Sequence, residues 1–217
     1  MASEVDISNL ALGYLGDDAT VASLSPPEGS AQAEHCARFY PIARDSLLER
    51  HCWGFATRRS SLALLAEASP SEWKYTYAVP DGLVNAIAVV APDAVDDYSV
   101  GYAPYGNTGL AQYSPQTYTM ESDASGAQVI YTNQENAVLR YTVLVSDTTK
   151  FSPLFVEALS WLLASKLAGP VLKGETGAKM ALSCMQAYQL WFAQATMSDA
   201  NQQRAQVAPV TNWIAAR

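Results

Sequence analysis

The chain has 217 residues, enough for one large domain or two small ones with a real hydrophobic core. Its formal net charge is −8, and Arg58-Arg59 is its only pair of adjacent basic residues, so it lacks the clustered cations that bind nucleic acid. Apolar residues make up 49% of the chain and charged residues only 16%, a balance typical of proteins that bury surface against other subunits.

The cysteines and the N-terminus indicate a reducing compartment. Three cysteines, Cys36, Cys52 and Cys184, are too few for a disulfide framework, and we interpret them as small buried apolar residues. The first residues show no basic region followed by an apolar run, so we expect no signal peptide. The most apolar segment, residues 158–167, is shorter than the roughly 20 residues that a membrane span needs, so we expect no membrane association.

The first quarter of the chain has helical spacing. Residues 4–15 repeat apolar side chains at helical intervals, and Gly16 ends the pattern. A longer helix is predicted over residues 31–51, with an apolar face and an opposite charged face. Pro41 lies inside it, which predicts a kink or a break.

Residues 72–145 have the composition of a sheet. The runs 86–90, 128–131 and 138–143 are rich in β-branched and aromatic residues, and Pro, Gly, Asn and Asp separate them. This pattern predicts an antiparallel sheet or a small sandwich. Residues 104–109 predict an exposed loop between strands.

Helix returns after residue 151. Ser152 is a good N-cap, Pro153 is tolerated in a first turn, and the segment that follows is apolar on almost every side, with Trp161 near its middle. Such a helix must be covered on every side, so we place it at the centre of a bundle or against a neighbouring subunit. Gly169-Pro170 is predicted to end it. A last long helix is predicted over residues 175–201.

These elements predict an α+β fold that is mainly α, a bundle of long helices with an inserted antiparallel β-rich domain. The bundle would comprise residues 1–71 and 148–201, and the acidic β-rich insertion residues 72–147. Residues 202–217, with Pro209 and the isolated pair Trp213-Ile214, would form an extended C-terminal arm.

The sequence offers little support for catalysis or cofactor binding. His35-Cys36 and His51-Cys52 are ligand types that suit zinc, but 16 residues of a single helix separate them by roughly 24 Å. The chain has no Gly-x-Ser-x-Gly nucleophile elbow, no phosphate-binding loop and no dinucleotide fingerprint. We therefore predict no metal, no cofactor, no catalytic residue and no enzymatic activity.

The predicted insertion is strongly acidic. No Lys, Arg or His occurs between Lys74 and Arg140, whereas seven carboxylates do: Asp81, Asp93, Asp96, Asp97, Glu121, Asp123 and Glu135. One interpretation is simply an acidic, well-hydrated domain. Another is the wall of a channel that repels phosphates and so does not retain passing DNA, for which Asp93, Asp96 and Asp97 are candidates.

The same segment is rich in tyrosine, which is enriched at protein interfaces. Several of these tyrosines must face the core of the sheet. Tyr105 and Tyr113 are flanked by loop residues and are the better candidates for contact with a partner.

Over most of its length the chain resembles the head-to-tail adaptor (tail tubular protein A) family of short-tailed bacteriophages. The order and spacing of several short motifs carry the resemblance: Asn9-Leu10-Ala11-Leu12-Gly13, Leu15-Gly16, Trp53-Gly54-Phe55-Ala56, Leu62-Ala63, Trp73, Tyr75, Tyr77, Pro80-Asp81, Arg140-Tyr141, Phe155-Val156-Glu157-Ala158-Leu159, Leu163-Ala164 and Leu167-Ala168.

The resemblance implies a structural virion protein that is made in the host cytoplasm and located at the head–tail junction. It would form a homo-oligomeric, dodecameric ring that joins the portal protein to the tail nozzle protein, with tail fibres as further partners. Genomic DNA would pass through the ring without being bound specifically. Trp161, and Trp213 with Arg217 in the arm, would contact neighbouring subunits or the portal.

Two other functions stay open at this point. Asp93, Asp96 and Asp97 could supply paired carboxylates to a tail-associated polysaccharide or peptidoglycan hydrolase. The tyrosine-rich loop could belong to a stand-alone sugar-binding module.

Overall fold

The computed structural model describes residues 2–66, 69–92, 116–123 and 125–202. Within them the protein is of the mixed α+β class, with four α-helices and two antiparallel sheets. The chain divides into two compact units. The helical unit comprises Met1–Ala56 and Leu144–Gln202, and the described residues of the strand unit lie within Thr57–Val143.

The first two helices begin at side-chain caps. Helix α1, Glu4–Tyr14, opens with a capping box, in which Ser3 and Asp6 each accept a hydrogen bond from the other's backbone N–H. Helix α2, Ala31–Glu49, starts at Ser30 and passes through Pro41 without ending. The predicted break is therefore wrong, because the buried positions on either side of Pro41 keep this stretch packed despite the missing N–H donor.

Helices α3, Pro153–Leu172, and α4, Gly174–Asn201, are joined by a single residue. The Ser152 hydroxyl caps α3 as predicted, accepting a hydrogen bond from the Phe155 N–H at 3.2 Å. The predicted end of α3 at Gly169-Pro170 is wrong, since Pro170 lies inside the helix. The chain instead turns at Lys173, whose φ of 55° is left-handed, and its N–H donates to the Gly169 carbonyl.

Helix α3 forms the centre of the helical unit. It packs against α1, α2 and α4, and residues on almost every side of it are buried. It is long and apolar enough to cross a membrane, yet 56% of its most apolar window is buried inside the protein, which is typical of a core helix. Trp53, fully buried, lies edge-on to the Phe155 ring at 4.9 Å.

The strand unit contains two three-stranded antiparallel sheets among its described residues. In the first, the order is β1, β6, β3. In the second, it is β2, β5, β4. The strands span Thr57–Ser61 (β1), Tyr75–Ala78 (β2), Leu83–Val90 (β3), Tyr118–Ser122 (β4), Gln128–Thr132 (β5) and Val138–Val143 (β6).

Strands β3, β5 and β6 correspond to the three β-branched runs of the sequence. Strand β1 begins well before residue 72, where the predicted insertion starts. Its sequence, Thr-Arg-Arg-Ser-Ser, has no alternation of apolar and polar residues. Its pairing with β6 is therefore a tertiary contact that local sequence does not reveal.

Tyrosine hydroxyls donate hydrogen bonds to backbone carbonyls within the strand unit. The Tyr77 hydroxyl donates to the Gln134 carbonyl at 2.9 Å, and the Tyr118 hydroxyl donates to the Ala86 carbonyl at 3.0 Å. Tyr131 is buried in β5. These three tyrosines have the structural role expected for part of the tyrosine-rich segment.

Candidate functional site

Most of the residues that the sequence nominated for contact lie outside the described part of the chain. The loop tyrosines, the acidic group and the arm residues all belong to this set: Tyr105, Tyr113, Asp93, Asp96, Asp97, Trp213 and Arg217. Their roles stay predictions from the sequence. Trp161 is the one nominated contact residue that the structure describes.

Trp161 lies on α3 and is half-buried by its own chain. Its ring stacks flat on the Tyr14 ring of α1, with centroids 3.9 Å apart and an interplanar angle of 5°. The Tyr14 hydroxyl donates to the Glu157 carboxylate at 2.7 Å. Burial, and then the Glu157 carboxylate, raise the pKa of Tyr14 well above that of a free tyrosine. One face of Trp161 is thus covered within the chain, and only the rest is available to a partner.

The three cysteines are free thiols; Cys36 and Cys184 are buried as predicted, whereas Cys52 is only half-buried. Burial raises the pKa of Cys36 to about 11 and also raises that of Cys184, so both stay neutral at physiological pH. Among the described residues, no group of three or more His, Cys, Asp or Glu side chains could hold a metal ion. The structure therefore places no reactive thiolate at either position.

Asp199 is a buried carboxylate of the helical unit with long-range contacts, and the sequence analysis missed it. It is only 7% exposed, near the end of α4, and accepts hydrogen bonds from the Gly54 N–H at 3.0 and 3.2 Å. Its Oδ2 also lies 3.1 Å from His51 Nε2. These contacts join segments that are 145 residues apart in the chain.

The His51–Asp199 pair lies beside the aromatic core of the helical unit. The His51 ring is edge-on to Trp53 at 4.8 Å, so the residues that follow α2 contact both α4 and this core.

The acidic residues of the strand unit do not act alike. Asp123 accepts hydrogen bonds from the backbone N–H groups of Ser125 and Ala127 at 2.8 and 2.9 Å, and so holds the turn between β4 and β5. The Ser125 hydroxyl, followed by these amides, lowers the pKa of Asp123. Three other carboxylates of the acidic segment are exposed: Asp81, Glu121 and Glu135.

The outer face of α4 is uncharged and partly apolar. Residues 180–198 contain no Asp, Glu, Lys or Arg. Leu182, Leu190 and Met197 are 69%, 69% and 68% exposed. Exposed positions alternate at intervals of three and four residues along this face, a spacing typical of helix pairing. We call this set the α4 seam: Ser183, Gln186, Leu190, Ala193, Met197 and Ala200.

A second surface lies on α1. A shallow, open depression of about 620 Å³ lies along one side of this helix, and Leu10, one of its lining residues, is 39% exposed. A Cβ placed on Gly13 would meet nothing within 4 Å. We call this surface the α1 hollow and define it by the residues that line it: Asp6, Asn9, Leu10, Gly13 and Tyr14.

The two surfaces of the helical unit are the candidate functional site. No family model matches the chain, and no curated protein matches it. Function is therefore argued from residues and geometry. The sequence analysis predicted the helix α4 but no contact surface on it, although the uncharged run over residues 180–198 was a visible signal for the outer face.

Proposed function

We propose that this chain is a structural virion protein, a head-to-tail adaptor. It forms a ring between the capsid portal and the tail nozzle, through which DNA is ejected. The observation that carries the proposal is the α4 seam. Leu190 and Met197 of the seam, and Leu182 next to it, are each more than two-thirds exposed on an uncharged run of a chain with a net charge of −8, which is typical of a surface that another protein covers.

The rigid packing of helix α4 in the helical unit supports the proposed function. Helix α4 has 28 residues and is about 42 Å long. Close packing on α3 and the Asp199 contact with Gly54 hold it at both ends. We propose that this unit is a bundle of long helices into which the strand unit is inserted, because a ring subunit needs a stiff body that resists the pressure of DNA passage.

The charge of the chain supports the passage of DNA without binding. A protein that neutralises phosphates releases counterions and holds the duplex. This chain has 21 acidic and 13 basic residues and no basic cluster, so its field repels phosphates. We propose that the portal protein and the tail nozzle protein are its partners, with tail fibres as further partners.

The proposal is tested by co-expressing the chain with the portal protein of the same genome. Electron microscopy is expected to show a ring of this chain docked on one end of the portal. A portal that stays bare at all protein concentrations would reject the proposal.

The C-terminal arm is proposed to anchor the ring on a neighbour or on the portal through Trp213 and Arg217. Truncation after Pro209 should abolish assembly while leaving the circular dichroism spectrum of the monomer unchanged. Normal assembly of the truncated chain would reject this role for the arm.

A tail-associated polysaccharide or peptidoglycan hydrolase is the rival function. The adaptor proposal predicts that the purified chain releases no reducing sugar from host glycans. Release that disappears in any of the variants Asp93→Asn, Asp96→Asn or Asp97→Asn would favour the hydrolase and contradict the proposal.

A further inference from the structure

We infer that Asp81-Gly82, in the turn between β2 and β3, is a site of spontaneous covalent modification, at which Asp81 converts to isoaspartate through a cyclic imide. The inference rests on the chemistry of this turn and does not depend on the proposed function. Both reacting groups belong to consecutive residues of the chain, so the reaction needs no partner other than water.

The turn requires a glycine at position 82. Gly82 has a φ of 71°, a left-handed conformation that residues with a side chain rarely adopt. The Leu83 N–H donates to the Pro80 carbonyl at 3.3 Å and closes the turn. Glycine therefore follows Asp81 for a conformational reason, and the backbone nitrogen that it presents has no side chain beside it.

Both reacting groups are accessible. Asp81 and Gly82 are exposed, and a Cβ on Gly82 would meet nothing within 4 Å. Within the described ranges, neither the Asp81 carboxylate nor the Gly82 N–H takes part in a hydrogen bond or an ion pair. The bond that closes the turn is long, so the turn can open without losing a strong contact. Rotation of the Asp81 side chain can then bring its carboxyl carbon to the Gly82 nitrogen.

The reaction is a loss of water followed by a gain of water. The Gly82 nitrogen attacks Cγ of Asp81, so that an N–Cγ bond forms, a Cγ–O bond breaks and one water molecule leaves with the amide proton. Water then adds to one of the two carbonyls of the imide. Cleavage of the new N–Cγ bond restores aspartate. Cleavage of the original peptide bond leaves the main chain running through Cβ and Cγ, which is isoaspartate.

Asp18 provides an internal comparison, because it is also an exposed residue outside the helices and strands. The residue that follows it is Ala19, whose side chain hinders the approach to its own nitrogen. The Ala19 N–H also donates to the Asp17 carboxylate at 2.9 Å. The nitrogen that would attack Asp18 is therefore both hindered and engaged, whereas the nitrogen of Gly82 is neither.

Two further aspartates are protected by the turns that they hold. Asp123 accepts from the Ser125 N–H at 2.8 Å, and Asp147 accepts from the Thr149 N–H at 3.1 Å. The hydroxyls of Ser125 and Thr149 lower the pKa of these two carboxyls. A lower pKa reduces the fraction of protonated carboxyl, from which water leaves most readily.

The modification lengthens the connection between the two sheets of the strand unit. Strand β2 belongs to one sheet and β3 to the other, and the turn at Asp81-Gly82 joins them. Isoaspartate adds one carbon atom to the main chain at this point. The pairing of β3 with β6 is already irregular between Leu83 and Asn85, directly after the turn. The added length can be taken up there while the rest of the strand pair persists.

The experiment follows the wild-type chain at neutral pH in water enriched in a heavy isotope of oxygen, at a temperature that preserves its circular dichroism spectrum. Opening of the imide places one heavy oxygen atom in the product, whichever carbonyl reacts. Peptide mapping with electron-transfer fragmentation then locates the label and distinguishes isoaspartate from aspartate. Asp81→Glu is the matched control, because it keeps the charge while its longer side chain closes a ring far more slowly.

At least tenfold more label is expected at Asp81 than at Asp18 of the same chain, together with isoaspartate at position 81. The Asp81→Glu chain should lose the label at this position. Equal labelling of Asp18 and Asp81, or the absence of isoaspartate at position 81, would overturn the inference.

Discussion

The helical unit and the strand unit use their carboxylates differently, although tyrosine hydroxyls of the strand unit also join distant residues. In the helical unit, Asp199 and the Tyr14–Glu157 pair connect residues more than 140 positions apart. In the strand unit, Asp123 bonds only to residues of its own turn. Other described carboxylates of the strand unit are exposed.

This difference predicts where the loss of a carboxylate has the larger effect on stability. Long-range polar contacts around a buried aromatic cluster resist displacement of whole helices, because breaking them leaves buried groups unsatisfied. Local turn contacts fix only the loop that contains them. We therefore expect substitutions to have larger effects in the helical unit than in the strand unit, and five substitutions test this expectation.

The largest effect is expected for Trp53→Ala. The ring is fully buried among Phe155 and other aromatic residues, and its Nε1 donates to the Leu47 carbonyl at 3.0 Å. Its loss should lower the free energy of unfolding by about 3–5 kcal/mol, measured by urea denaturation. Trp53→Phe, which keeps a ring, should lose clearly less; equal losses would mean that the indole is not central to this core.

Asp199→Ala removes the acceptor of the Gly54 N–H and the partner of His51. The expected loss is about 1–3 kcal/mol, because the hydrogen bond from the Gly54 N–H to a buried carboxylate is lost. Asp199→Asn keeps one acceptor oxygen and should recover part of the loss in the same urea titration. Wild-type stability of Asp199→Ala would show that this contact does not hold the helices together.

Gly177→Ala and Gly169→Ala form a matched pair at the junction of α3 and α4. A Cβ on Gly177 would lie 2.8 Å from the Ala168 carbonyl oxygen, so the helices must separate at a cost of about 1–3 kcal/mol. A Cβ on Gly169 meets nothing within 4 Å, so alanine should stabilise the helix by up to about 1 kcal/mol. Melting temperatures that move in the same direction would contradict this packing.

Tyr14→Phe removes the hydroxyl that donates to Glu157 and should cost about 0.5–1.5 kcal/mol at pH 7. The pKa of Tyr14 is raised in the folded state, so its contribution is fully present below the unfolded pKa near 10. Above pH 10 Tyr14 ionises more readily in the unfolded state than in the folded state. The difference in the free energy of unfolding between wild type and variant should therefore shrink. A difference that is constant up to pH 11 would contradict the contact.

The smallest effect on stability is expected for Asp123→Ala, which removes the hydrogen-bond acceptor of one turn in the strand unit. The pKa of Asp123 is lowered in the folded state, so its contribution is present at pH 7 and disappears as the pH falls through the folded pKa. The difference in melting temperature between wild type and variant should therefore shrink as the pH is lowered below about 4. A loss of stability as large as that of Asp199→Ala would contradict the expected difference between the two units.

Much of the fold follows from local chemistry. The hydroxyls of Ser3 and Ser152 mark the first turns of α1 and α3, and the β-branched runs mark β3, β5 and β6. The ends that Pro41 and Pro170 predict are wrong because packing on both sides offsets the loss of one hydrogen bond. Tertiary contacts, and not propensity, decide these positions.

The candidate site was less accessible to sequence reasoning. The partner of Gly54 lies 145 residues away, and nothing near Asp199 distinguishes it from a surface carboxylate. The α4 seam could have been predicted, because the sequence shows an uncharged run over residues 180–198. The α1 hollow depends on the absence of neighbours around Gly13, which only a folded structure shows.

The most direct test of the adaptor proposal is cryo-electron microscopy of the intact particle that contains this chain. The account predicts a ring of copies between the portal and the tail nozzle, with the α4 seam of each copy covered by another protein. Particles whose portal meets the nozzle without this chain, or that carry the chain elsewhere, would contradict it.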